Sequence, residues 1–180
     1  MAYDTEFLER GPDYPIMLIS IGMINDSGDL LYAVNADMDL AAVYAHPWLR
    51  TNVYPHLPRT TARCRCLAGH LDLADPAVMS RPQIARMVAD FITYRPSPRL
   101  WGWYSDYDHV VLAQLFGTMA QLLAGIPQRT NDLQQEIDRM GNPPLPSQEG
   151  PAHHALADAM HIQRLRRLLG PMPPARAAEA

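Results

Sequence analysis

Ile16 to Ile24 is a run of nine residues broken only by Ser20 and Gly22 among apolar side chains. A stretch so short and so apolar reads as a largely buried β-strand. The turn cluster Asn25-Asp26-Ser27-Gly28-Asp29 follows, and Leu30 to Asn35 reads as the next strand. With residues 1–7 as a short strand before them, the chain opens as a three-stranded antiparallel meander, so the fold must be built on a sheet.

The remaining pattern is mostly helical. Asp39 can cap a helix from Leu40 to Ala45, and another helical turn can begin at Pro47. Residues 55–82, rich in Pro and Arg, read as a long surface loop. Ser80 caps a helix running to Tyr94, with Ile84, Met87, Val88, Phe91 and Ile92 as its apolar stripe. Leu100 to Tyr104 reads as a central strand leading into a helix through Phe116. Residues 118–124 and 132–140 read as short helices, with strand-like pairing possible around Arg129 to Asn131. The last helix spans His153 to Leu169. Strands first and helices later predict an α/β fold around a mixed sheet. Residues 1–169 are expected to form one domain, and residues 170–180, rich in Pro and Ala, a disordered tail.

The formal net charge is −4, which argues against passive binding of polyanions. No apolar stretch approaches the ~20 residues needed to span a bilayer, and no secretory signal is visible, so the expected location is the cytoplasm. All fifteen basic residues are arginine, more simply a matter of codon usage than of phosphate recognition. Cys64 and Cys66 are too close for a relaxed disulfide and lack zinc-ligand spacing, which reads as two structural thiols. Trp101 and Trp103 read as core or scaffold rather than as platforms for a nucleobase.

Three acidic clusters carry the chemistry. Asp4 and Glu6 lie two apart on the first strand and so share a face. Asp106-Tyr107-Asp108-His109 follows the central strand, and His153-His154-Ala155-Leu156-Ala157-Asp158 opens the last helix. Together they suit two-metal phosphodiester cleavage, in which two divalent cations ~4 Å apart clamp the scissile phosphate. Carboxylate oxygens favour Mg²⁺ or Mn²⁺, and a histidine can take the proton of the attacking water. On an extended stretch Asp106 and Asp108 face the same way, so spacing alone does not choose between them. In an ideal helix His154, four residues before Asp158, shares its face better than His153 does.

The order and flanks of these clusters resemble the DEDDh 3′–5′ exonucleases, and most closely the polyadenylate-specific 3′-exoribonuclease AS family. The words that carry the resemblance are Tyr3-Asp4-Thr5-Glu6-Phe7, Leu18-Ile19-Ser20-Ile21-Gly22, Trp48-Leu49-Arg50-Thr51, Trp103 to His109 ending in Tyr107-Asp108-His109, and His153 to Asp158. The resemblance implies an RNase H-like fold, with Asp4, Glu6, Asp108 and Asp158 as ligands of two ions and His153 as general base. It implies a 3′–5′ exoribonuclease acting on single-stranded RNA 3′ ends, releasing nucleoside 5′-monophosphates, and it suggests a homodimer. Phe7 and Leu8 would either wedge against the terminal base, as in the wider superfamily, or simply pack in the core, while Trp48 and Arg50 are candidates for holding the terminal nucleotide. Apart from the resemblance, Arg59, Arg63 and Arg65 on the long loop read more simply as solvated than as tracking a phosphate backbone. The alternatives are a DNA exonuclease or oligonucleotide scavenger with the same site, and a catalytically silent nucleic-acid-binding module.

Overall fold

The computed structural model describes residues 1–60 and 67–170. Arg63, Arg65, Cys64 and Cys66, and the tail beyond Gly170, lie outside those residues. The expected meander is present: β1 (Ala2–Leu8), β2 (Met17–Ile24) and β3 (Leu30–Asn35) pair antiparallel in sequence order. Asn25 closes the β2–β3 turn, its Oδ1 accepting the N–H groups of Ser27 and Asp29, both at 2.9 Å. This is the local side-chain substitution that makes asparagine a turn former.

Beyond β3 come α1 (Leu40–Ala45) and α2 (Pro47–Asn52), then a two-residue strand β4 (Val78–Met79) and α3 (Arg81–Thr93). β5 (Leu100–Gly102), α4 (Asp106–Gln114), β6 (Thr130–Asp132), α5 (Leu133–Arg139) and α6 (Ala155–Leu169) complete the chain. The six strands lie in the order β4-β3-β2-β1-β5-β6, with β4, β5 and β6 parallel to their neighbours β3, β1 and β5. This is a mixed sheet flanked by helices, consistent with an RNase H-like fold.

Helices cover both faces. On one, Tyr3, Ile21 and Met23 pack with Ile84, Val88 and Ile92 of α3 and with Val111 and Leu112 of α4. The other carries two separate apolar clusters. Leu8, Ile19 and Val34 meet Val43, Leu49 and Val53 of the α1–α2 region. Ala2, Ile24 and Trp101 meet Leu133 and Ile137 of α5 and Ala159, Ile162 and Leu165 of α6. Among the described residues no helix is long and apolar enough to cross a membrane.

Several boundaries differ from expectation. The 55–82 segment is not simply loop: Arg59 bridges to Leu71, and β4 docks on β3 through Val34 N–H to Ala77 O (2.8 Å) and Ala36 N–H to Met79 O (2.9 Å). Two residues are too few to show a strand period. β5 stops at Gly102 because the chain turns sharply there, with Tyr104 at φ 51°. The helix expected over 118–124 is only a 3-10 turn at Met119–Gln121. α6 starts at Ala155, since His153 is left-handed at φ 61° and His154 is the cap.

Candidate active site

Side chains alternate along β1, so Ala2, Asp4, Glu6 and Leu8 share the face that carries two clusters. Ala2 belongs to the α5–α6 cluster and Leu8 to the α1–α2 cluster. Asp4 and Glu6 fall between them, where no apolar layer covers the sheet. Asp158, in the first turn of α6, closes this gap from above. One carboxylate oxygen from each of Asp4, Glu6 and Asp158 can be chosen so that all three lie within 4.8 Å of one another.

Gly22 sets that distance. It is the cross-strand partner of Asp4 on β2. A Cβ built on Gly22 would lie 2.2 Å from the backbone nitrogen of Leu156 and 2.4 Å from the carbonyl carbon of Ala155. Only glycine lets the start of α6 rest on the strand at this level, and Asp158 is thereby held beside Asp4. An isolated glycine in an apolar strand is a legible sign of close backbone approach, but the sequence does not say what approaches.

Asp108 stands just outside the triad. It is buried, and its Oδ1 accepts the Thr5 backbone N–H at 2.9 Å and the Thr5 hydroxyl at 2.5 Å. β5 pairs with β1 only at the level of Ala2, so Asp108 takes over as partner to the β1 edge farther along. Asp106 is exposed at the start of α4. The two acids lie in a helical turn, not on extended chain, where residues two apart point about 200° from each other. His109 turns away from the carboxylates, its Nδ1 lying 3.0 Å from Thr130 Oγ1, which in turn lies 2.7 Å from the Tyr3 hydroxyl.

The electrostatics are those of crowded anions. Burial holds Asp4 well above the usual carboxylate range, and Asp108, Glu6 and Asp158 push it further in that order. Burial first, then Asp158 and Asp108, raise Glu6 to about 8. Burial raises Asp108 to about 6 against the opposing hydrogen bonds from Thr5. Of the acids Asp4, Glu6, Asp108 and Asp158, Asp108 has a neutral partner in Thr5 and Asp158 in Gln148, whose amide donates to Asp158 Oδ1 at 2.5 Å.

The two histidines have separate surroundings. His154 caps α6, with Nδ1 accepting the Ala157 N–H at 3.4 Å and the ring stacked on Tyr32 at 4.5 Å. Burial lowers its pKa. His153 lies outside the helix and lines a cavity of about 360 Å³ together with Asp4 and Asp158. The Trp48 ring meets it edge to face at 4.7 Å. Helix spacing favours His154 only if the helix extends that far, and it does not.

The other candidates separate as well. Trp48 is 48% exposed beside His153. The Arg50 guanidinium lies over the Tyr44 ring at 5.6 Å, and Arg59 over Tyr54 at 4.2 Å. Phe7 stacks on Tyr107 at 6.0 Å and packs toward the α3–α4 side, away from Asp4 and Glu6. Leu8 is 4% exposed and packs within the α1–α2 cluster. Two cavity residues had no sequence signal of their own, Gln148 and His161, while Trp103, read as core or scaffold, also lines the cavity.

Two proteins of Mycobacterium tuberculosis align with nearly the whole chain. They are "3'-5' exoribonuclease MT2234.1" of strain CDC 1551 / Oshkosh and "3'-5' exoribonuclease Rv2179c" of strain H37Rv. Each is 36% identical over 169 residues, covering 93% of this chain and 90% of the relative. Residues 1–168 also match the family described as 3'-5' exoribonuclease Rv2179c-like domain. Family match and near full-length identity agree, and the chain belongs to the Rv2179c-like 3'-5' exoribonuclease domain family.

Proposed function

We propose that residues 1–169 act as one metal-dependent 3′–5′ exoribonuclease domain that hydrolyses the terminal phosphodiester of single-stranded RNA and releases nucleoside 5′-monophosphates. The observation that carries this reading is the approach of Asp4, Glu6 and Asp158 to within 4.8 Å, in a gap that no cationic side chain fills among the described residues. Buried carboxylates without cations are costly. Hard oxygen donors at this spacing suit Mg²⁺ or Mn²⁺, with Asp108 as a fourth acid near the rim. Two divalent ions, when bound, would supply charge to the scissile phosphate and offset the repulsion among the acids.

The protein's own groups would do the rest. His153, beside Asp4 and Asp158 and free of helix-capping duty, accepts the proton of the attacking water. Gln148 holds the Asp158 carboxylate in orientation. Asp108 pins the β1 edge through Thr5, so the Asp4–Glu6 pair keeps its place. His153→Ala is expected to lower kcat by ~10²–10⁴-fold while Mn²⁺ binding persists. His154→Ala should instead cost stability on the order of 1 kcal/mol through the lost cap. Steady-state kinetics and thermal melts of both variants check the assignment, and the reverse pattern would transfer the base role to His154.

Stability should also report the site. A carboxyl of the unfolded chain titrates near ~4.3, whereas Glu6 in the fold titrates near 8. Between those values the native protein keeps a proton that the unfolded chain has released. Stability contributed by protonated Glu6 is therefore lost as pH rises through that window. The metal-free protein should melt several degrees lower at pH 8 than at pH 5, and Mg²⁺ or Mn²⁺ should reverse the loss at pH 8. Calorimetry in chelator and in metal checks this; a melting temperature indifferent to metal at pH 8 would contradict the cation site.

The activity test uses 5′-labelled single-stranded RNA and DNA of matched sequence with Mg²⁺. Stepwise shortening of RNA with 5′-monophosphate release is expected. Preference for DNA would keep the site but change the substrate, and binding without shortening would favour the silent module.

A further inference from the structure

Trp103 packs at the margin of the α5–α6 apolar cluster and stays only half-buried there. Like Trp101 it faces the α5–α6 side of the sheet, but β5 has ended by then. The turn that follows is tightly built. A Cβ on Gly102 would lie 2.7 Å from the Ser105 Cβ, so the turn requires glycine. Tyr104 is left-handed at φ 51°, and the Ser105 N–H is held by Asp132 Oδ2 at 2.7 Å. Asp132 is itself fixed as the cap of α5 through the Gln135 N–H at 3.0 Å. The indole is therefore set at the strand end by a rigid device, and it is only half-buried. Tyr104 meets it edge-on, not stacked, at 6.4 Å.

The cavity that Trp103 lines is the one that contains Asp4, Asp158 and His153. His161 lines it too, three residues after Asp158 and so on the same side of α6. Arg164, itself ion-paired with Glu149 at 2.5 Å, and the carboxylates of Asp158 and Glu149 all act electrostatically on His161. Gln148 is already engaged with Asp158, which leaves, besides the apolar Ala152 and Ile162, the indole and the His161 imidazole as cavity groups with no role in the chemistry above.

We infer that this cavity holds one nucleotide of the RNA strand beside the scissile phosphate, its base against the Trp103 indole and its sugar–phosphate within reach of His161. The inference rests on the exoribonuclease reading. A volume of about 360 Å³ is in the range of small-molecule pockets. An indole face stacks on a base through its π-face and so gives affinity without hydrogen-bond readout. A chain of net charge −4 with an anionic centre cannot gather RNA by bulk attraction, so stacking and directed contacts must supply the affinity. A platform fixed before binding loses little entropy when the base arrives.

The test uses the full chain, Mg²⁺ and a short single-stranded oligoribonucleotide with a hydrolysis-resistant 3′-terminal linkage. Trp103→Ala should raise its Kd, and the KM of a cleavable strand, by about 5- to 100-fold, the effect of losing one stacked base, with kcat little changed. Trp103→Phe should restore most of the affinity. His161→Ala should raise KM by a smaller factor, and His161→Gln should recover part of it. In a Trp48→Phe background, RNA should quench indole fluorescence, and adding Trp103→Phe should remove the quench. Circular dichroism and Mn²⁺ binding verify the fold; if Trp103→Ala does not fold, the fluorescence comparison decides. Unchanged Kd and KM in a folded Trp103→Ala, or a quench that survives Trp103→Phe, would overturn the inference. Wild-type protein that shortens no RNA would instead defeat the exoribonuclease reading itself.

Discussion

Asp4→Asn is expected to abolish turnover and, in the absence of metal, to raise the melting temperature. Both effects have one cause. Asp4 is held well above the ordinary carboxylate range by burial and by repulsion from Asp108, Glu6 and Asp158. Asparagine keeps the shape and removes the charge, so the apo protein loses a destabilising group and its amide can donate to the neighbouring acids. The same change removes a donor that a divalent cation needs. A ligand worth several kcal/mol of transition-state stabilisation corresponds to ~10³-fold or more in rate. The stabilising effect of Mg²⁺ at pH 8 should shrink with it. Rate assays and paired melts with and without metal measure both arms. A variant that loses activity but also loses stability would point to a structural acid, and retained activity would remove Asp4 from the ligand set.

Gly22→Ala should be the most damaging single methyl in the chain. The new Cβ would stand 2.2 Å from Leu156 N and 2.3 Å from Leu156 Cα. These are backbone atoms of α6 and cannot swing aside as a side-chain tip could. Overpacking usually costs ~1–3 kcal/mol, and a clash with helix backbone belongs at or beyond the top of that range. Relief requires α6 to lift from β2, which carries Asp158 away from Asp4. Protein that still folds should therefore bind Mn²⁺ about 10-fold or more weakly, as when a supporting group of a metal site is lost. Thermal melts and Mn²⁺ titration read the two consequences separately. Near-wild-type stability and Mn²⁺ affinity would mean that α6 is not seated on Gly22.

How much of this was legible beforehand follows from the range of the forces involved. The β1–β3 meander, α1 and α3 are written in local pattern: an apolar run, an Asn–Gly turn cluster, and the caps Asp39 and Ser80. Ser80 closes its box with Gln83, whose Oε1 accepts the Ser80 N–H at 2.9 Å. β4 left no trace, because two residues stabilised by pairing to β3 have no period to read. The acids were visible as motifs, but their sorting was not. Asp106 and Asp108 look alike on an extended chain and diverge only because α4 begins at Asp106. His153 and His154 likewise separate only through the left-handed turn that stops α6 at Ala155. Gly22, Gln148 and Trp103 depend on contacts between segments distant in sequence, which no spacing rule encodes. For Leu8 the pattern allowed a wedge or a core side chain alike, and only its packing with the α1–α2 cluster, at 4% exposure, shows where the side chain sits.

The central claim is that Asp4, Glu6 and Asp158, with Asp108 near the rim, form a divalent-cation centre. Anomalous diffraction from crystals soaked in Mn²⁺ and a nucleoside 5′-monophosphate tests it most directly. The account predicts manganese peaks bridged by the carboxylates of Asp4, Glu6 and Asp158, with the nucleotide phosphate against them. Manganese bound only elsewhere, with these three carboxylates empty at saturating metal, would contradict it.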